Sequence, residues 1–271
     1  MPLRKHNDIL DDLYRDVNHR RYVHPDPLEF LYPYPDPPDR EIVALVASSM
    51  AYGRVAQILQ SVSDALERIG PHPARFLSES SPAAIRKAMR GFKHRFNTAE
   101  HVSAMLIGVR KVKAKYGSLG ACFAHGVRDD HTTVLEAMTA FVGEITKAAR
   151  ADCGHLLPDP AKGSACKRLC LMLRWLVRKD RVDPGGWDSV CPSKLLIPLD
   201  THMHKIARGL GVTKRKAADM RTVVEVTEAF RKVAPKDPVR YDFALTRLGI
   251  RNDMDVREFL TFCNNREPSD A

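Results

Sequence analysis

Apolar residues recur three and four positions apart in one segment of this chain after another, and no segment alternates apolar with polar for more than a few residues. A period near 3.6 puts one face of each segment into a core as a helix, and it leaves no material for a half-buried strand. One such segment opens at Asp36 and Pro37 and runs through Ile42, Leu45, Val46 and Met50. Another runs from Arg54, after Gly53, to about Arg68, where Gly70-Pro71 stops it. Further helical patterns cover about 81–89, 98–116, 133–150, 165–179, 200–209, 216–232 and 239–249. The expected fold class is all-α with short connections. Residues 24–38 hold six prolines among aromatics, which predicts an extended connector pinned by Phe30, Leu31, Tyr32 and Tyr34.

Composition enters through what it excludes. No apolar run approaches the about 18 residues of a membrane span, so no membrane partner is expected. The opening Met-Pro-Leu-Arg-Lys-His-Asn-Asp is not a signal-peptide pattern, and an intracellular, cytoplasmic protein is expected. The six cysteines contain no Cys-x-x-Cys pair, which removes the common zinc-ribbon and cluster spacings. Cys166 and Cys170, four apart on a predicted helix, read as small buried apolar residues. Net charge is +10, and between Pro160 and Met220 there are 13 Lys/Arg against five Asp/Glu. A basic stretch of that kind attracts a polyanion through counterion release, so nucleic acid is the expected partner.

The most informative run is Ile197-Pro-Leu-Asp-Thr-His-Met-His-Lys-Ile-Ala-Arg-Gly-Leu-Gly211. Asp200 stands where a buried stretch ends and Met203, Ile206, Ala207 and Leu210 begin a helical stripe. A carboxylate there caps the helix, and capping alone would account for it. Upstream, Cys166, Leu169, Cys170, Leu173, Leu176 and Val177 form a core stripe, with Lys167, Arg174 and Arg178 on another face. Before that helix lies Leu156-Leu-Pro-Asp-Pro-Ala-Lys-Gly-Ser-Ala165, a Pro- and Gly-rich turn opening into a helix N-terminus that can hold a phosphate. Asp200, His202 and His204 also invite a metal-hydrolase reading, but residues two apart on a helix point to different sides. No metal or cofactor is expected.

Gly163-Ser-Ala-Cys-Lys167 and Leu199-Asp-Thr-His202 together resemble the signature of the helix-hairpin-helix DNA glycosylases, the endonuclease III superfamily. The departures are a longer hairpin, a 33-residue gap from Lys167 to Asp200, an insertion over Val182–Ser193, and no C-terminal four-cysteine cluster. A wide gap without a cluster resembles the archaeal-type 8-oxoguanine glycosylases. From about residue 10 to 260 the chain more closely resembles a family long described only as a domain of unknown function. The shared motifs are Ala51–Val55, Gly91–Phe96, Val182–Trp187, Pro198–His202 and Tyr241–Gly249.

The resemblance implies a single glycosylase unit over 1–271, in lobes of about 40–195 and 1–39 plus 196–271, with the active site between them. It implies a DNA-repair glycosylase with β-elimination lyase activity, acting as a monomer on double-stranded DNA and releasing an oxidised purine, 8-oxoguanine. Such an enzyme would be nucleoid-associated through its DNA. Lys167 is the expected nucleophile, with Lys162 as the alternative; Asp200 would offset positive charge at the sugar. A free lysine titrates at about 10.4, so the site has to desolvate the amine or place cations such as Arg168 beside it. Lys162, Gly163, Ser164, Arg54, Gln57, Lys205, Lys214 and Arg215 are the expected DNA contacts. Trp187, Tyr52, Phe96 and His202 are candidates for the base pocket, with core packing an equal account of Trp187. A DNA-binding module without catalysis is the alternative from a different class.

Overall fold

The structure, a computed structural model, describes residue 3, residues 6–251 and residues 253–265. Among the described residues it is built from helices: α1 (Asn7–Val17), α2 (Pro37–Ser49), α3 (Val55–Ile69), α4 (Pro73–Glu79), α5 (Pro82–Ala88), α6 (Ala99–Tyr116), α7 (Leu119–His125), α8 (Leu135–Ala149), α9 (Lys167–Val177), α10 (Thr201–Gly209), α11 (Met220–Arg231), α12 (Asp242–Ile250) and α13 (Val256–Asn265). The one sheet among them is the antiparallel pair β1 (Lys93–His94) and β2 (Asn97–Thr98), joined by Arg95 and Phe96. The fold is all-α, as the periodicity predicts.

Two helices form the centre. In α2 every residue from Glu41 to Ser49 is buried, and in α6 every residue from Val102 to Val109. A helix apolar around its circumference is stable only with neighbours on all sides. Here α6 packs on α8, α5, α7 and α4, and α2 on α9, α4 and α3. The α6–α8 approach depends on Gly108: a Cβ there would lie 2.5 Å from the Ile145 carbonyl oxygen. Around the later chain, α10 packs on α12 and α13, and α1 lies along α12.

Short polar side chains set the helix starts. Asp200, Asp219 and Ser118 each accept a backbone N–H from the first turn of α10, α11 and α7. The α7 start has a second, unusual acceptor. Glu41, buried in α2, takes the N–H groups of Leu119 and Gly120 at 2.9 and 3.0 Å. Burial pushes its carboxyl above the ordinary range, and those two N–H bonds pull against the rise.

The segment 24–38 departs from expectation. It is not extended throughout: Pro27–Leu31 forms a 3-10 turn capped by Asp26, whose carboxylate accepts the Leu28 N–H at 3.0 Å. Proline at the first position of a turn favours the compact form, because its fixed φ suits it. The pinning aromatics do pack on the core, with Leu31 fully buried. The helices α1, α4, α7 and α13 and the β1–β2 hairpin were not among the elements expected from the periodicity.

Candidate active-site cleft

The hairpin before α9 is a tied structure. Pro160–Lys162 makes a 3-10 turn with Asp159 capping it, and Gly163 ends the turn at φ +77°, a left-handed conformation that glycine adopts at little cost. The Gly163 carbonyl then accepts the Met220 N–H at 3.0 Å, and Ser164 pairs in a β-bridge with Asp219. Lys167 follows as the first residue of α9. Its Nζ reaches the Ala51 carbonyl at 3.4 Å, and Arg168 donates to the Ser49 carbonyl at 2.7 Å. Two basic side chains therefore meet the carbonyl-rich end of α2. The Arg168 guanidinium also lies 4.8 Å from the centre of the Tyr52 ring. Burial lowers its pKa from the ordinary arginine value.

Asp200 caps α10, with Oδ1 accepting the Met203 N–H at 2.8 Å. Lys167 and Asp200, 33 residues apart in sequence, line the same cavity of about 650 Å³. Its walls come from five separate stretches: Pro25–Pro27, Ala51–Ile58, Lys167–Arg174, Pro198–His202 and Asp242–Ile250, with Ala218 beside them. Of the two candidate lysines, Lys167 lines the cavity; Lys162 is exposed on the turn and does not. His202 lines it too, and fits because Gly249 has no side chain: a Cβ there would lie 2.4 Å from His202 Nδ1.

The family model described as Protein of unknown function (DUF2400) matches residues 26–251. The chain belongs to that family. Comparison with curated proteins and with solved structures finds no match. Every residue lining the cavity except Pro25 falls inside the family span, so the cleft is a feature of the family region itself.

The remaining candidates divide. Tyr52 is in the wall, held by Asn97, which donates to its hydroxyl, and edge-on to His94 at 4.7 Å. Arg54 and Gln57 are exposed on the opening of α3, whose Val55 and Ile58 line the cavity. Lys205 and Lys214 are exposed and lie outside the lining. Arg215 is engaged: its guanidinium donates to Asp219 and Thr222, both at 2.8 Å.

Two base-pocket expectations need correcting. Trp187 is 4% exposed and packs on Phe123 and Phe141, with ring centres 5.4 and 6.2 Å away. Its indole N–H donates to Glu41 at 3.3 Å, and it lines no part of the cleft. A large amphipathic ring with a buried acceptor within reach is drawn into the core. Phe96 errs in the opposite direction. It is 67% exposed at the β1–β2 turn, beside the Arg95 guanidinium at 5.5 Å, and outside the cavity. The cluster Asp200, His202 and His204 does not converge: His204 Nε2 is bonded to the Arg215 carbonyl at 3.0 Å. Among the described residues no three metal-ligating side chains are grouped.

Sequence reasoning missed the cavity floor. Arg174, Asp242 and Arg247 are 2%, 1% and 3% exposed, and all three line the cavity. Burial pushes the Asp242 carboxyl up to about 6 against the pull of Arg174, with Asp200 and Asp183 adding to the rise. The available signal was a charge inside an apolar run: Arg174 between Leu173 and Trp175, and Asp242 and Arg247 within Tyr-Asp-Phe-Ala-Leu-Thr-Arg-Leu.

Proposed function

We propose that this protein is a DNA N-glycosylase with associated lyase activity, which releases an oxidised purine, 8-oxoguanine, through an imine on Lys167. The observation that carries the reading is the convergence of Lys167 and Asp200 on one cavity. A base stacked in a duplex is out of reach, so the nucleotide is turned out into that cavity. The neutral amine of Lys167 attacks C1′, and the glycosidic bond breaks with its electron pair leaving on the base, which takes up a proton. Asp200 offsets the positive charge that develops at the sugar. Its Oδ2 carries no hydrogen bond among the described residues, and the cap through Oδ1 holds the carboxylate in place beforehand. Ring opening gives the imine; loss of a C2′ proton then expels the 3′ phosphate.

The same reading assigns the two lobes, about 40–195 and 1–39 plus 196–271, with the cleft between them. In its support, the cavity wall draws on both spans. Exposed Lys162, Gly163, Ser164, Arg54, Gln57, Lys205 and Lys214 would track the phosphates, and Phe96 with Arg95 would meet the bases beside the cleft mouth. Borohydride trapping on abasic and 8-oxoguanine duplexes tests the reading. A covalent adduct should form with the wild-type protein and vanish in Lys167→Ala, while damaged DNA still binds. An adduct that survives in Lys167→Ala and disappears in Lys162→Ala transfers the role to Lys162. No adduct with any substrate leaves the DNA-binding module as the better account.

A further inference from the structure

Asn97 opens β2 with no exposed surface, and its amide ties together two segments far apart in sequence. Its Oδ1 accepts the His155 N–H at 2.9 Å, and its Nδ2 donates to the Tyr52 hydroxyl. A backbone N–H can only donate, so His155 fixes which end of the amide is oxygen. The amide nitrogen then has to face Tyr52. The hydroxyl, accepting there, spends its own proton on the His94 carbonyl at 3.3 Å. Burial raises the pKa of that hydroxyl, so it keeps the proton it donates. A glycine makes the room: a Cβ at Gly154 would lie 2.4 Å from Asn97 Oδ1.

Both tied segments lead to Lys167. Tyr52 follows Ala51, whose carbonyl meets Lys167 Nζ at 3.4 Å. His155 opens the run into the hairpin that delivers Lys167 as the first residue of α9. We propose that Asn97 is a positioning residue: by clamping Tyr52 to His155 it holds the Ala51 carbonyl and the hairpin at the separation that keeps the Lys167 amine in the cavity. This rests on the glycosylase reading above. Asn97 lines no part of the cavity and acts through Tyr52, which does. The clamp also gives a task to two shared motifs that supply no reacting group. Ala51–Val55 carries Tyr52, and Gly91–Phe96 carries His94 and ends next to Asn97.

The experiment is a double-variant cycle on an abasic duplex. It reads the borohydride-trapping rate at saturating DNA, the dissociation constant for the same duplex, and the melting temperature. An abasic site has no base, so any contact of the Tyr52 ring with a base contributes nothing. Tyr52→Phe keeps the ring and removes only the hydroxyl; Asn97→Ala removes its partner. Each should slow trapping about tenfold, with the dissociation constant changed by less than about twofold. Because the two act as a unit, the double variant should be no slower than the slower single one. A wild-type trapping rate in Tyr52→Phe overturns the proposal, whatever Asn97→Ala does to folding. Losses that multiply in the double variant, or that follow melting temperature across the variants, make the contact purely structural and also overturn it. Absence of trapping in the wild-type protein overturns the glycosylase reading itself, and the positioning role falls with it.

Discussion

Two parts of this molecule are made from the same buried arginines and aspartates and are finished differently. In the brace over Arg178–Trp187, Arg178 uses all three nitrogens, on Asp237, Asp183 and Asp180. Asp180 takes Tyr14, Asn18 and Arg178 on one oxygen and the N–H groups of Val182 and Asp183 on the other. In the cleft floor, Arg174, Asp242 and Arg247 each keep one atom unpaired. Arg174 belongs to both, joined to the brace through Asp183 and to the floor through Asp242. The brace too keeps buried acceptors unmet, Asn18 Oδ1 and Asp237 Oδ1, so the difference between the two is that the floor residues line the cavity shared by Lys167 and Asp200. Buried charge alone therefore does not mark a site. The shared cavity beside it does.

The contrast can be broken most sharply at Asp200. Asp200→Asn keeps a good helix cap but loses the negative charge, so base release should slow by about 100- to 1000-fold with little change in melting temperature. A large loss of stability together with the loss of rate would move Asp200 to the structural side. The brace should behave the other way round. Arg178→Met leaves Asp183 buried with Arg174 as its one remaining cation and should cost about 3–5 kcal/mol by denaturant unfolding. Trp187→Ala opens a cavity against Phe123 and Phe141 and should cost a similar about 3–5 kcal/mol. Neither should alter the ratio of lesions released; a changed ratio would make the brace part of the pocket.

A pH titration sharpens the comparison further. The Asp242 carboxyl, raised to about 6 by burial, faces Arg174 on α9, Asp183 in the brace and Asp200 at the start of α10. A folded-state value above the unfolded one means that its stabilising contribution is present below the ordinary carboxylate range and is lost as pH rises through about 6. Wild type should therefore lose stability relative to Asp242→Asn over that window. Parallel stability curves would place the titration elsewhere. The smallest effect concerns surface cations. Lys162→Ala and Lys214→Ala should each reduce the log–log salt slope of DNA binding by about one. Arg215→Ala, its guanidinium tied to Asp219 and Thr222, should change stability more than slope.

What the sequence disclosed follows a physical division. The long helices α2, α3, α6, α8 and α11 carry their period openly, and α10 begins at Thr201 behind its Asp200 cap as read, whereas α1, three turns long, was not among the expected segments. Cys166 and Cys170 are buried, as their stripe requires. The pairing of Lys167 with Asp200 in one cleft came from motif order and not from periodicity, since no local rule spans 33 residues. Trp187 was ambiguous because a Gly-Gly-Trp loop suits an exposed stacker as well as a core anchor. Its partner, Glu41, lies 146 positions away, and the sequence does not advertise that contact. Asp242 and Arg174 stayed hidden for the same reason: an unmet hydrogen bond is a property of the assembled site.

The Ser164–Asp219 bridge has one more implication, for how such a chain tolerates change. Pairing those two positions closes a ring of polypeptide on which both Lys167 and Asp200 sit. Inside a closed ring, the distance between two points in space is fixed by what the ring packs against, and not by the number of residues between them. Lengthening a flexible loop costs only about 0.6 kcal/mol per doubling. The segment Val182–Ser193 can therefore change length while the Lys167 amine and the Asp200 carboxylate keep their positions, and its Asp183 belongs to the brace. Linear spacing along the chain is then a poor ruler for the geometry of the cleft; the clasp that closes the ring is a better one.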